Sequence, residues 1–173
     1  MFTRSALTLL IACTPAAYAQ QYGIGQTPAP ELLGAWDIDV SPDGAGLPRG
    51  AGSVAYGAQL YAERCVACHG LEGKGRPEDR LVGGQGTLAS DKAVKTIGSF
   101  WPYATTLFDY IRRAMPFNAP QSLRDDEVYA LVAYLLNLNG IVPADAVMDS
   151  TSLPAVRMPN RDGFVADPRP DVP

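Results

Sequence analysis

The chain has 173 residues, of which 47% are hydrophobic and 18% charged, with a net charge of −4. That is enough apolar material for one modest domain core. It has no cluster of basic residues, so nucleic acid is not an expected partner, and it has no apolar run long enough to span a bilayer. The 17 glycines and 15 prolines indicate many loops and extended segments between the helices.

Residues 1–19 are predicted to be a secretory signal peptide. Arg4 supplies the positive charge, residues 6–12 form a short apolar stretch, and residues 17–19 read Ala-Tyr-Ala, a small-x-small cleavage site. We therefore expect export to the periplasm. A second reading is cleavage before Cys13, which would leave a lipid-anchored protein in the same compartment.

The chain after the signal divides into a domain with two flanks. Residues 52–140 carry the periodic helical patterns, residues 20–51 are predicted to be an extended N-terminal arm, and residues 141–173 are a Pro-rich C-terminal tail. The flanks are either disordered or wrap a partner subunit. Some of their apolar side chains would be costly to expose to water: Trp36, Ile38, Val40 and Phe164. These residues favour the second reading.

A C-x-x-C-H motif occupies residues 65–69. Two intervening residues place both thiols, Cys65 and Cys68, within reach of the two vinyl groups of one haem, and His69 then lies under the iron as an axial ligand. A zinc site would need four ligands, and the mature chain offers two cysteines and one histidine. A thioredoxin-like dithiol would need a βαβ context, which the surrounding sequence lacks.

Helical patterns lie on both sides of this motif. Residues 57–64 form a helix leading into it, and a second helix is predicted over residues 104–113. A C-terminal helix follows, with a capping box of Ser122 and Asp125 at its start and Gly140 at its end. Its apolar side chains recur at helical spacing: Val128, Leu131, Leu135 and Leu138.

Gly57, Tyr61 and the C-x-x-C-H-G sequence together resemble the N-terminal helix of class I cytochromes c. The resemblance implies an all-α, class I cytochrome c fold, here with extended Gly/Pro-rich arms at both ends, and one covalently bound haem c. It also implies that Gly57 lets the C-terminal helix cross closely and that Tyr61 packs at the crossing. Tyr134 is a candidate to pack beside Gly57.

The same resemblance points to Met115 as the second iron ligand, because it stands in a Met-Pro sequence before the C-terminal helix. Met148 and Met158 are the alternatives, and both lie in the tail. Ligation by histidine and methionine raises the reduction potential and closes the iron to small ligands. Both effects suit an electron carrier rather than an enzyme.

Trp101 and Tyr103 are candidate donors to the haem propionates, although buried aromatic packing is an equally good reading. Arg112 and Arg113 could also face a propionate or simply lie in solvent. The carbonyl that accepts the His69 Nδ1–H bond cannot be assigned from the sequence, because Pro77 does not stand in the usual register.

The flanking sequences carry a closer resemblance, to the cytochrome subunit of periplasmic sulfur and sulfite dehydrogenases of the thiosulfate-oxidising system. The matching segments are residues 35–40, 83–88, 95–103, 121–123, 134–139 and 158–164. The resemblance implies a molybdenum-cofactor subunit as electron donor and another cytochrome c or an oxidase as acceptor. Two alternatives stay open: a general periplasmic carrier without a dedicated partner, and a haem enzyme or ligand sensor with an open iron site.

Overall fold

The computed structural model describes residues 24–169, so the predicted signal peptide and Cys13 lie outside the described residues. Within the chain, one compact unit ends at Trp36 and a second begins at Asp37. In residues 24–169, no helix has both the length and the apolar character needed to cross a membrane.

The first unit contains helix α1 (Pro30–Trp36), where the sequence predicted an extended arm. That prediction is wrong for these seven residues. Pro30 stands in the first turn, where a missing N–H costs nothing, and Glu31 places negative charge at the helix N-terminus. None of the α1 side chains is buried.

The second unit confirms the all-α class I cytochrome c fold. Its elements are β1 (Ala51–Ser53), α2 (Val54–Arg64), α3 (Val66–His69), a 3-10 turn (Leu71–Gly73), α4 (Ala104–Ala114), α5 (Asp125–Leu138) and β2 (Val147–Asp149). The sequence did not predict the two strands. They pair antiparallel with Gly52 opposite Met148, and so join the end of the N-terminal flank to the start of the C-terminal one.

Helices α2 and α5 cross in the most extensive contact between elements of the fold. A side chain at Gly57 would overlap the carbonyl oxygen of Ala130, and its Cβ would lie 2.8 Å from the Cβ of Tyr134. The Tyr61 and Tyr134 rings pack beside this point with their centroids 5.4 Å apart. The expected roles of Gly57, Tyr61 and Tyr134 at the crossing are therefore confirmed.

The two ends of α5 differ in how well the sequence predicted them. The N-cap is Arg124, not Ser122, because Leu123 is buried in the core and the Glu127 carboxylate accepts a bond from the Arg124 N–H at 2.8 Å. The C-terminal end is as predicted: Gly140 N–H donates to Asn137 O, and Ile141 N–H donates to Leu136 O. This pair of bonds is a Schellman motif.

From Asp37 onwards both flanks contribute side chains to the core, so the reading of solvated tails is wrong for this part of the chain. Val40 of the N-terminal flank is buried, and so are Met148, Leu153 and Met158 of the tail. Neither flank could bury these side chains alone, but each shares the core of the helical domain.

The N-terminal flank is also bonded to one face of α4 through its backbone. Thr105 Oγ1 donates to Pro42 O at 3.1 Å, Asp109 Oδ1 accepts from Val40 N–H at 3.0 Å, and Arg112 donates to Ile38 O at 3.1 Å. The three side chains stand four and three residues apart, on one helical face. The extended backbone of residues 38–42 therefore satisfies its polar groups against the helix.

Candidate functional site: a haem-attachment motif beside the helix crossing

The two cysteines lie where α2 gives way to α3. Cys65 ends α2, with its N–H donating to Tyr61 O at 3.0 Å, and Cys68 lies within α3. Neither cysteine is bonded to the other; Cys65 is half-buried and Cys68 exposed. One helical turn thus presents two sulfur atoms from neighbouring positions, as thioether attachment to one haem requires.

His69 is the last residue of α3, and its ring is oriented by the loop that follows. Its Nδ1 lies 3.1 Å from the carbonyl oxygen of Asp79, so Nδ1 carries the proton and Nε2 is left with a lone pair for a metal. Glu78 N–H donates to Cys68 O at 2.9 Å, and Gly75 N–H donates to His69 O at 2.8 Å. These bonds hold the loop against the motif.

Gly70 ends α3 directly after the histidine. Its φ of 72° is in the left-handed region, and a Cβ there would lie 2.5 Å from Gly75 O. The Tyr61 hydroxyl donates to Gly70 O at 2.9 Å, and burial raises the pKa of Tyr61 to about 12. The tyrosine at the helix crossing therefore stays protonated at neutral pH and binds the end of the motif.

Burial raises the pKa of the Cys65 thiol to about 11. A redox-active dithiol needs a lowered thiol pKa, because the thiolate is the nucleophile. The environment of Cys65 is the opposite of that, so it disfavours the thioredoxin-like reading.

Met115 caps the C-terminal end of α4. Its N–H donates to Ile111 O at 3.1 Å while its own backbone is extended, and its side chain is half-buried against the core. Met148 and Met158, in contrast, are 6% and 1% exposed. Their thioethers fill the core, which leaves Met115 as the methionine whose side chain meets both the core and the surface.

Trp101 and Tyr103 lie just before α4. Trp101 packs edge-on against Tyr110 with ring centroids 5.7 Å apart, and it contacts the same core cluster as Cys65 and Met115. Tyr103 is the N-cap residue of α4, and the Arg161 guanidinium lies 4.3 Å above its ring. Their predicted contact with haem propionates stays a prediction.

Arg112 and Arg113, the other residues considered for a propionate, have protein partners. Arg112 forms an ion pair with Asp125 at 3.0 Å, in addition to its bond to Ile38 O. Arg113 forms an ion pair with Asp109 at 2.5 Å. Arg112 therefore holds α4 to its neighbours, while the Arg113 pair lies within α4 itself.

Asn139, the C-cap residue of α5, has a role that the sequence analysis did not predict. Its side chain donates to Leu81 O at 3.2 Å and to Leu135 O at 2.9 Å, and it accepts from Gly83 N–H at 3.2 Å. Its carbonyl accepts from Gln85 at 3.2 Å. One buried amide thus anchors the loop after the haem-attachment motif to the end of the core helix.

These residues fit haem c better than a bare metal ion. Across the part of the chain that the structure describes, no group of three or more His, Cys, Asp or Glu residues is arranged to hold a metal ion. The motif offers two neighbouring thiols and an imidazole with Nδ1 already bonded, and the half-buried Met115 packs against the same core cluster as Cys65. Two such thiols and an adjacent imidazole are the groups that covalent attachment of haem c uses, and Met115 as second ligand stays a prediction.

Comparison with known proteins places these features in a family. The family model for cytochrome c matches residues 54–139. A crystal structure of the sulfane dehydrogenase SoxCD from Paracoccus pantotrophus contains a chain that is 43% identical to this one, with a TM-score of 0.81. The match covers 87% of this chain and 75% of that one.

Two curated relatives are both named thiosulfate dehydrogenase. The one from Psychrobacter arcticus is 29% identical over 114 residues, 64% of this chain and 35% of the relative. The one from Stutzerimonas stutzeri is 30% identical over 90 residues, 51% of this chain and 28% of the relative. The chain therefore spans about a third of the length of the curated relatives it matches.

Proposed function

The chain belongs to the cytochrome c family, and we propose that it is the electron-accepting subunit of a periplasmic sulfur dehydrogenase. As a cytochrome c it carries covalently bound haem c and transfers electrons. What the proposal adds is the identity of the residues that hold the haem, the partner that supplies the electrons, and the compartment.

Cys65 and Cys68 would form the thioether bonds, and His69 and Met115 would ligate the iron. The observation that carries this assignment is the bond between His69 Nδ1 and Asp79 O. It orients the ring and leaves Nε2 as the free donor. Bound there, the haem supplies a one-electron ferric/ferrous couple.

The protein's own contribution is to restrict the iron to electron transfer. Ligation by Met115 together with His69 would raise the reduction potential and would close the iron to small ligands. The chain would then pass electrons through the haem edge and perform no sulfur chemistry itself. The dehydrogenase activity would belong to the partner subunit.

Support for a sulfur dehydrogenase as partner comes from two directions. The flanking segments resemble those of cytochrome subunits of molybdenum-dependent sulfur and sulfite dehydrogenases. The similarity to the SoxCD chain, at 43% identity, extends over 87% of this chain, well beyond the 54–139 range matched by the family model. The acceptor would be another cytochrome c or an oxidase.

Location in the periplasm rests on the signal-like residues 1–19 and on the haem-attachment motif. Covalent haem c is assembled outside the cytoplasm, so the two features agree. Cleavage after Ala19 would release the mature chain. The intact mass of the purified holoprotein tests the cleavage site, because a lipid-modified Cys13 at the N-terminus would contradict cleavage after Ala19 while leaving the compartment the same.

A rapid-mixing experiment tests the partner. Oxidised holoprotein is mixed with the molybdenum dehydrogenase subunit and sulfite or thiosulfate, and the ferrous haem band is followed. Fast reduction that requires both the subunit and the sulfur compound is expected. If the haem is reduced by a chemical donor but not by this mixture, the partner assignment is wrong and the chain is a general carrier.

A pair of matched variants tests the iron ligand. Met115→Leu should abolish the weak thioether-to-iron band at the red end of the ferric spectrum and let the ferrous form bind carbon monoxide. Met158→Leu keeps a side chain of similar volume in the core and should leave both properties unchanged. If the band is lost in Met158→Leu instead, Met158 is the ligand. Carbon monoxide binding by the unmutated ferrous protein would contradict a closed iron site.

A further inference from the structure

The aromatic segment of residues 98–103, which precedes α4, is covered by the C-terminal tail. Asn160 donates to Phe100 O at 2.7 Å, and the rings of Phe164 and Phe100 pack edge-on at 5.3 Å. Met158, two residues before Asn160, is 1% exposed. The tail is thus anchored to the domain on both sides of Arg161.

Arg161 is held in a defined position by this arrangement. Its N–H donates to Met158 O at 3.1 Å, which closes a turn, and its guanidinium lies 4.3 Å from the centre of the Tyr103 ring. Stacking on an aromatic face orients a guanidinium while leaving its N–H donors free for an anion.

The charge of Arg161 is not matched by a carboxylate among residues 24–169. Every other arginine of the tail there has one: Arg157 lies 2.8 Å from Asp162, and Arg169 lies 2.6 Å from Asp167. Arg112 and Arg113 are similarly paired, with Asp125 and Asp109. Arg161 differs from all of these in being fixed in place while its donors bond to no other side chain or backbone group of residues 24–169.

The neighbouring polar groups on the aromatic segment are uncommitted as well. Within the described residues, neither the Trp101 indole N–H nor the Tyr103 hydroxyl makes a hydrogen bond, and no buried side-chain polar atom lacks a partner. These donors therefore face accessible space. Arg161 and Tyr103, which are in contact, offer a cation and a neutral donor to an anionic ligand. Trp101 offers a second neutral donor two residues away, and it packs against the same core cluster as Cys65 and Met115.

We propose that Arg161 binds a haem propionate, so that the C-terminal tail forms part of the haem pocket. The proposal rests on the haem attachment at residues 65–69 proposed above. A fixed positive charge beside the haem favours the ferrous state, because reduction lowers the positive charge of the iron by one. The tail would in this way raise the reduction potential of the cytochrome.

The test compares variants of the holoprotein by redox titration with chemical mediators. Arg161→Ala should lower the midpoint potential of the haem while the thioether-to-iron band is retained. The midpoint potential of Arg161→Lys should lie between those of the wild type and the alanine variant. Arg157→Ala removes an equal charge from the same tail, at a residue whose side chain is 81% exposed, and should leave the potential unchanged.

Two outcomes would overturn the proposal. The first is an Arg161→Ala potential equal to that of Arg157→Ala. The second is loss of the thioether band in Arg161→Ala, which would mean that the residue acts through the ligand loop. Neither outcome depends on a sulfur dehydrogenase, since the titration uses chemical reductants. A failure of haem attachment would be visible separately, as a chain without covalent haem.

Discussion

The crossing of α2 and α5 and the two flanks that pack around it contribute to the same core but are held by different interactions. At the crossing, backbone meets backbone: the space beside Gly57 is filled by Ala130 and Tyr134. The residues around it on α5, from Val128 to Ala133, are almost completely buried. Such a contact has no room for adjustment.

The flanks are held at separate points instead. Leu153 and Met158 each insert one side chain into the core, while Pro42, Val40 and Ile38 are bonded through their backbone to α4. A steric change at the crossing should therefore affect the whole domain. Loss of one anchor in a flank should have a smaller and more local effect.

The largest effect is expected from Gly57→Val. A branched side chain would overlap the Ala130 carbonyl, so the helices would have to separate along their full contact. We expect a loss of at least about 4 kcal/mol in the free energy of unfolding, measured by denaturant titration of the holoprotein. Gly34→Ala, where no atom lies within 4 Å of the added Cβ, is the control. Similar stability of the two variants would contradict the close crossing.

A smaller loss is expected from Leu153→Ala in the tail. Leu153 is completely buried, so the truncation leaves a cavity, at a cost of about 3 kcal/mol. Val165→Ala, at a tail residue that is 90% exposed, should be neutral. If the two substitutions have equal effects in the same titration, the tail is not part of the core.

Asp109→Ala tests the attachment of the N-terminal flank to α4. The change leaves the Val40 N–H without its acceptor and Arg113 without its ion pair, at a cost of about 2 kcal/mol. Hydrogen exchange at the Val40 amide should accelerate, while amides in the middle of α5 change only through the global stability. Asp109→Asn retains an acceptor oxygen, so its exchange rate at the Val40 amide should lie between those of the wild type and of Asp109→Ala. An unchanged exchange rate at Val40 would rule out the anchor.

The smallest effect concerns Tyr129, whose hydroxyl donates to Pro48 O at 2.9 Å. Burial, followed by the nearby Asp125 and Asp149 carboxylates, raises its pKa to about 12. Between its unfolded pKa of about 10 and that value, the unfolded chain loses this proton while the folded chain keeps it, so stability falls as the pH rises.

Tyr129→Phe should therefore lower the free energy of unfolding at neutral pH by about 1 kcal/mol, because the hydrogen bond is lost. As the pH rises into the alkaline range, the stability of this variant should fall less than that of the wild type. The measurement is denaturant unfolding of both proteins across the alkaline range. A difference between them that stays constant from neutral pH to about pH 12 would show that this tyrosine is not responsible for the pH dependence.

Prediction from the sequence was most successful where the signal was local. The periodicity of residues 104–113 and 125–138 predicted α4 and most of α5, and the Gly140 cap is a property of adjacent residues. Gly57 was predicted because its family resemblance pointed to a close crossing. The haem c cofactor followed from a motif of five consecutive residues.

Most of the failures involve partners outside the local segment. Asp79 was not identified as the acceptor for His69, because any carbonyl in the intervening loop could have served. Arg112 and Arg113 could have faced a propionate or solvent, and only the positions of Asp125, Asp109 and Ile38 show where they point. Seven residues of the supposedly extended arm form α1, because Pro30 and Glu31 suit a helix start that the Gly/Pro content of the arm concealed.

The sequence by itself determined the fold class, the cofactor and the order of the helices, since each depends on spacing within a few residues. The tertiary structure decided which loop carbonyl orients His69 and that Asn139 anchors the loop after the motif. It also decided that the N-terminal flank from Asp37 onwards and the C-terminal flank both contribute side chains to the core. The physical reason is that burial and hydrogen-bond pairing are settled by which surfaces meet. That depends on the whole chain and not on any one segment of it.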